Sequence, residues 1–120
     1  MKPRFKLLKN IGYALSGFRN MLKEETSFKL QFFTFVLFSI CLIFIDMSLL
    51  TKSILFTSMI FVLAGEAINS SIERIVDLVS PDHHELAKQA KDIAAFIVLL
   101  FFIINCCIWI ITLLWEFGFI

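Results

Sequence analysis

Three stretches of the chain carry no charged residue. Leu30 to Ile45 (LQFFTFVLFSICLIFI) runs for 16 residues, Ser53 to Gly65 for 13 and Ile93 to Trp115 for 23. A helix that crosses a bilayer needs about 20 mostly apolar residues, within a range of about 17–25. The third stretch is long enough alone. The first becomes so with Phe28 and the stem of Lys29, whose ammonium can reach back to the interface. The second reaches that length only by running past Glu66 to about Val79, which puts a carboxylate inside the bilayer or at its edge. Spans are therefore expected over about 28–46, 49–79 and 85–117. Ahead of them, Phe5, Leu8, Ile11, Leu15, Phe18 and Leu22 recur at spacings of three and four. That pattern predicts an amphipathic helix over about 4–26, its basic face suited to the membrane interface. No strand-type alternation or hairpin spacing points to a barrel. The expected fold is all-α: one membrane domain over 1–120, made of a surface helix and three transmembrane helices.

Composition agrees and removes other classes. The 120 residues are 59% hydrophobic and 18% charged, with 15 Phe and a mean hydropathy of +0.88. Soluble proteins average roughly 45–50% apolar and about 25% charged. A globule this small would expose too much apolar surface, so a soluble enzyme, a disordered tail and a disulfide scaffold are excluded. Lys and Arg are spread across the first 29 positions and no A-x-A site follows the first apolar run, so a cleaved signal peptide is not expected. Seven of the eleven basic residues fall in 1–29, while Arg74, Lys88 and Lys91 lie around the connection from the second span to the third. By the bias of Lys and Arg toward the cytoplasm, the N-terminus and the 74–92 connection are expected inside and the C-terminus outside. Trp109 and Trp115 are expected at the outer interface.

The second span carries the candidate chemistry. Glu66, Asn69, Glu73 and Asp77 project at roughly 0°, −60°, −20° and +20° around a helix. Four polar groups thus share one face, while Ile68, Ile72, Ile75 and Val79 cover others. Ionisable residues inside a span are costly and mark a functional site by default. Clustered carboxylates suit a hard cation, and Mg²⁺ is typically held by one or two of them plus substrate phosphates. A carboxylate deeper in the membrane, Glu66, suits a general base. Lys88, Lys91, Glu24 and Glu25 lie at a similar depth on the cytoplasmic side, a setting that fits a Mg-nucleotide better than an ion in transit.

The chain has four glycines and no phosphate-binding glycine loop, nucleotide-fold fingerprint or kinase catalytic-loop motif. His83 and His84 lack zinc spacing and read as loop or capping residues. Cys41, Cys106 and Cys107 read as apolar packing residues.

The segment Gly65-Glu66-Ala67-Ile68-Asn69-Ser70-Ser71-Ile72-Glu73-Arg74-Ile75-Val76-Asp77, followed by His84-Glu85-Leu86-Ala87-Lys88-Gln89-Ala90-Lys91-Asp92, resembles the prokaryotic diacylglycerol kinase family. Gly12-Tyr13, Gly17-Phe18-Arg19 and Glu24-Glu25-Thr26-Ser27-Phe28 extend the resemblance from about Phe5 to Gly118 without gaps. It implies a homotrimer in the bacterial cytoplasmic (inner) membrane, with active sites shared between subunits. The reaction it implies is transfer of the γ-phosphoryl group of MgATP to the primary hydroxyl of a membrane lipid, with Mg²⁺ as cofactor and no nucleic acid partner. Carried over by motif position, Glu66 would be the general base, supported by Asn69, Glu25 and Glu73 would be Mg²⁺ ligands, and Asp77 would be a supporting residue of the site. ATP contacts would come from Lys6, Tyr13, Glu25, Glu73, Asp82, His83, His84, Lys91 and Asp92. The lipid would meet Asn10, Ala14, Leu15, Arg19, Leu22, Ser27, Gln31, Lys52, Glu66 and Ala95.

Lys6 stands where the family usually has arginine, keeping the charge without the bidentate fork. Ala14-Leu15 and Leu30-Gln31 replace more polar or aromatic residues. Two acceptors fit the pattern: Glu25-Thr26-Ser27-Phe28 leans toward diacylglycerol, and the Leu86–Ala95 stretch toward undecaprenol. Outside the family, a small proton- or cation-pathway subunit would also carry intramembrane carboxylates, but spread through the membrane depth. The interiors of the first and third spans have none.

Overall fold

The apolar runs lie inside helices that extend past them, and the two longest helices exceed the thickness of a bilayer core. The computed structural model describes residues 6–120. Its helices are α1 (Leu7–Glu24), α2 (Thr26–Phe44), α3 (Leu49–Val79) and α4 (Glu85–Glu116). Of these, α2, α3 and α4 are long and apolar enough to cross a membrane. The expected helix start at 4–5 lies outside the described residues.

The break between α1 and α2 falls at Glu25, whose backbone is extended (φ −103°, ψ 107°). The first span accordingly begins at Thr26, two residues earlier than expected. At about 1.5 Å per residue, the 31 residues of α3 extend about 46 Å, against a hydrocarbon core of about 30 Å. Glu66 lies about 26 Å along the axis from Leu49. A helix that starts at one face of the bilayer therefore delivers Glu66 to the opposite edge, and the turns beyond it carry Glu73 and Asp77 toward water.

Local signals fix the ends. Ser48 caps α3, its Oγ accepting from the Thr51 N–H at 3.1 Å. Glu116, at the end of α4, accepts from the Ser48 N–H at 2.6 Å and from the Thr51 hydroxyl. One carboxylate thus satisfies donors at the start of α3 and ties the two long helices together at this end. The His84 ring caps α4 by accepting from the Leu86 N–H at 3.2 Å, so the capping reading holds for His84. Gly118, at φ 73°, closes α4: its N–H donates to Trp115 and the Phe119 N–H to Leu114, which needs a residue free to adopt the left-handed region.

The long helices pack mainly as α3 against α4, with α2 on α3 and α1 on α2. A small core of Leu42, Leu55 and Met59 is flanked by Phe35, Met47, Trp109 and Leu113. Trp109 therefore belongs to the bundle: its ring meets Phe38 edge-on at 5.2 Å, whereas Trp115 stays exposed. Across α3 and α4, Ser58 donates to Asn105 at 2.8 Å, the kind of interhelical hydrogen bond that holds helices together in lipid. The phenylalanines join α1 to the bundle. Phe18 lies edge-on to Phe28 at 6.0 Å and to Phe32 at 5.1 Å. Only Met21 of α1 is buried, leaving Leu8, Ile11 and Leu15 uncovered by the chain.

Close approach of α3 and α4 depends on Gly65. A Cβ there would stand 2.6 Å from the Phe101 ring, which itself stacks on Phe61. Gly65→Ala is expected to cost about 1–3 kcal/mol, the usual range for overpacking, read as a lower thermal midpoint in detergent. Phe101→Leu should recover part of the loss, and unchanged midpoints would show that the ring moves aside freely.

Candidate active site

Helical periodicity puts Glu66, Asn69, Glu73 and Asp77 on one side of α3, and the neighbouring helices decide what each one meets. Glu66 is buried, 7% exposed. Its Oε2 accepts from the Gln31 side-chain amide of α2 at 3.0 Å. Three residues on and about 60° around the helix, Asn69 donates to Glu73 Oε1 at 3.1 Å. The amide expected beside the base is thus engaged with Glu73, and the amide on Glu66 comes from Gln31. The carbonyl oxygens of both amides, Gln31 Oε1 and Asn69 Oδ1, are buried without a hydrogen-bond partner.

A second cluster forms where α1 turns into α2. Glu25 Oε1 accepts from the Ser70 hydroxyl at 2.7 Å and from the Arg74 guanidinium at 3.1 Å. Arg74 also pairs with Glu24 at 3.1 Å. The Ser70 hydrogen bond, then that of Arg74 and its charge, hold the Glu25 carboxyl below the usual carboxylate range against the opposing pull of burial. Glu25 is therefore an anion at neutral pH, docked onto α3 one turn from Glu66 and Glu73. Further toward the end of α3, Asp77 pairs with Lys91 of α4, and Lys88 pairs with Asp92 at 3.5 Å.

Sequence reasoning passed over Ser70 and Arg74, and placed Gln31 only against the lipid. Their signal was weak but present. An acidic pair, Glu24-Glu25, needs a cation, and Arg74 stands two turns beyond Glu66. Ser70 and Arg74 project at roughly +40° and +80°, on the edge of the carboxylate stripe.

Other expected site residues lie further out. Lys6, just before α1, and Asn10, Tyr13, Ala14, Leu15 and Arg19 along it are exposed, and the Lys9 ammonium stands 5.8 Å from the Tyr13 ring. Leu22 is half-buried, Ser27 and Ala95 are exposed, and the neighbouring Ala94 is the one packed inside. Asp82 and His83 are exposed in the connection before α4. Lys52 stands toward the opposite end of α3, about 21 Å along the axis from Glu66, with its ammonium 3.5 Å from the Ile43 carbonyl. Two cavities border the cluster. One of about 480 Å³ opens between α2, α3 and α4 beside Gln31. The other, about 530 Å³, lies under α1 between Ala14, Phe18, Ser70 and Arg74.

The sequence profile described as prokaryotic diacylglycerol kinase matches residues 12–113. Diacylglycerol kinase of Escherichia coli strain K12 is 30% identical over 113 residues, covering 94% of this chain and 93% of its own. Undecaprenol kinase of Bacillus subtilis strain 168 is 30% identical over 109 residues, covering 91% and 89%. Diacylglycerol kinase of Pseudomonas aeruginosa is 32% identical over 91 residues, covering 75% and 73%. With the match running through α1, the carboxylate stripe of α3 and most of α4, the chain belongs to the prokaryotic diacylglycerol kinase family.

Proposed function

We propose that the chain transfers the γ-phosphoryl group of MgATP to the primary hydroxyl of diacylglycerol, giving phosphatidic acid and ADP. The observation that carries this reading is the buried Glu66 carboxylate, fixed by an amide donor about 26 Å along α3 from its start, a distance that suits the edge of a bilayer core. A lipid hydroxyl reaches that depth from the membrane, and a nucleotide reaches it from the cytoplasm. Glu66 accepts the proton of the attacking hydroxyl. Phosphoryl transfer asks little more of a protein than positioning and charge stabilisation.

The donor set fits Mg²⁺. Among the described residues no group of three or more His, Cys, Asp or Glu could hold a metal ion. What the chain offers is hard carboxylate oxygen at Glu25 and Glu73, and one or two carboxylates suffice when phosphates complete the shell. Bound there, Mg²⁺ supplies charge neutralisation on the transferring phosphoryl group. Lys91 and Asp92 meet the nucleotide from α4, with Lys6, Tyr13 and the Asp82–His84 turn as further contacts. The exposure of α1 and its site residues in the single chain fits a homotrimer in which neighbouring subunits complete each site. The membrane is the bacterial cytoplasmic one, with α1 and the connection before α4 on its inner side.

The similarity to an undecaprenol kinase makes undecaprenol the second acceptor to test. Labelled ATP is offered in mixed micelles containing diacylglycerol and undecaprenol together. Label is expected in phosphatidic acid. Label in undecaprenyl phosphate alone would reassign the acceptor, and transfer to neither lipid by folded protein would return the carboxylates to a non-enzymatic role.

A further inference from the structure

We infer that Gln31 is the positioning residue for Glu66: its amide holds one carboxylate oxygen so that the other faces the lipid hydroxyl. The inference rests on the reading of Glu66 as the base. Gln31 Nε2 donates to Glu66 Oε2 at 3.0 Å, across two helices, and the bond engages that oxygen and not Oε1. A flipped amide would set two acceptors against each other, so the carboxylate itself dictates the orientation. The amide carbonyl, left facing away, is buried with no partner. Simple helix–helix adhesion does not require such an arrangement, because an apolar side chain would fill the position without an orphaned acceptor. Asn69 repeats the pattern, donating to Glu73 and leaving its own carbonyl unpaired. Each of the two principal carboxylates of the stripe is therefore held by one amide.

Gln31 also lines the cavity between α2, α3 and α4, so a lipid contact is the competing role, and kinetics separates the two. A base must lie within hydrogen-bond reach of the proton it takes. A free Glu side chain samples rotamers that miss it, and a misplacement of about 1 Å can cost about 100-fold.

Gln31→Met keeps the length and removes the donor. Gln31→Asn keeps the amide but falls a methylene short, and serves if the Met variant does not fold. Both are expected to lower kcat by about 10–100-fold, with KM for MgATP and for the lipid within about two-fold of the parent. In a Glu66→Asp background, where the carboxylate no longer meets the amide, Gln31→Met should cost less than about three-fold, as coupled residues require. Parental kcat in the Gln31 variants beside an inactive Glu66→Gln would overturn the positioning role alone. A raised lipid KM at unchanged kcat would overturn it in favour of a lipid contact. An active Glu66→Gln would remove the base itself.

Discussion

Glu66→Gln is expected to fold, to bind MgATP and to turn over at least about 100-fold more slowly, the lower end of what a general base contributes. The substitution is nearly isosteric. Its carbonyl oxygen can still accept from Gln31 Nε2, so the α2–α3 contact survives. What disappears is the proton-accepting capacity proposed for Glu66 toward the lipid hydroxyl. Stability separates this loss from damage to the fold. Burying a neutral amide costs less than burying a charge, so the thermal midpoint in detergent should hold or rise while kcat falls. The KM for MgATP should stay within a few-fold, because the nucleotide contacts proposed for this chain lie nearer the end of α3 and on α4. Turnover near the parental rate would end the assignment of Glu66 as base.

Much of this architecture can be read along the chain, because the spans are written as charge-free runs and α1 as apolar residues at spacings of three and four. Ser48 before Leu49 and Ser80-Pro81 after Val79 bracket α3. The bilayer length then turns the distance from Leu49 to Glu66 into a depth. The shared direction of Glu66, Asn69, Glu73 and Asp77 follows from angles alone. Contacts between helices do not, because they depend on how each helix is rotated and offset against its neighbour. That is why Gln31 joins Glu66, and Ser70 and Arg74 join Glu25, without announcing themselves. The break at Glu25 was hidden for a related reason. Nothing local forbids helix through Glu24–Phe28; the extended backbone at Glu25 accompanies the docking of its carboxylate on α3. Trp109 was misplaced because a tryptophan near a span end usually marks the interface, whereas here α2 supplies Phe38 as a ring to pack on.

Glu73→Gln is expected to weaken MgATP binding, a different defect from that of Glu66→Gln. Glu73 lies two turns nearer the end of α3, half-buried, with Asn69 holding its Oε1 at 3.1 Å. Glutamine preserves that hydrogen bond and the volume, so packing is little disturbed. It removes one of the two negative charges proposed to face the metal and leaves Glu25, which Ser70 and Arg74 already engage. A lost charge-assisted contact of about 1.5–3 kcal/mol corresponds to about a 10–150-fold weaker complex. Titration of Mg²⁺ at fixed ATP should therefore show a half-maximal concentration at least about ten-fold higher, and KM for MgATP should rise with it. The lipid KM should not move, because the hydroxyl is proposed to be received at Glu66. Equilibrium binding of nucleotide without lipid provides a readout independent of turnover: affinity should fall when Mg²⁺ is present and change little when it is chelated. Equal MgATP affinity in parent and variant, with and without the metal, would remove Glu73 from the metal site and leave its carboxylate to Asn69 alone.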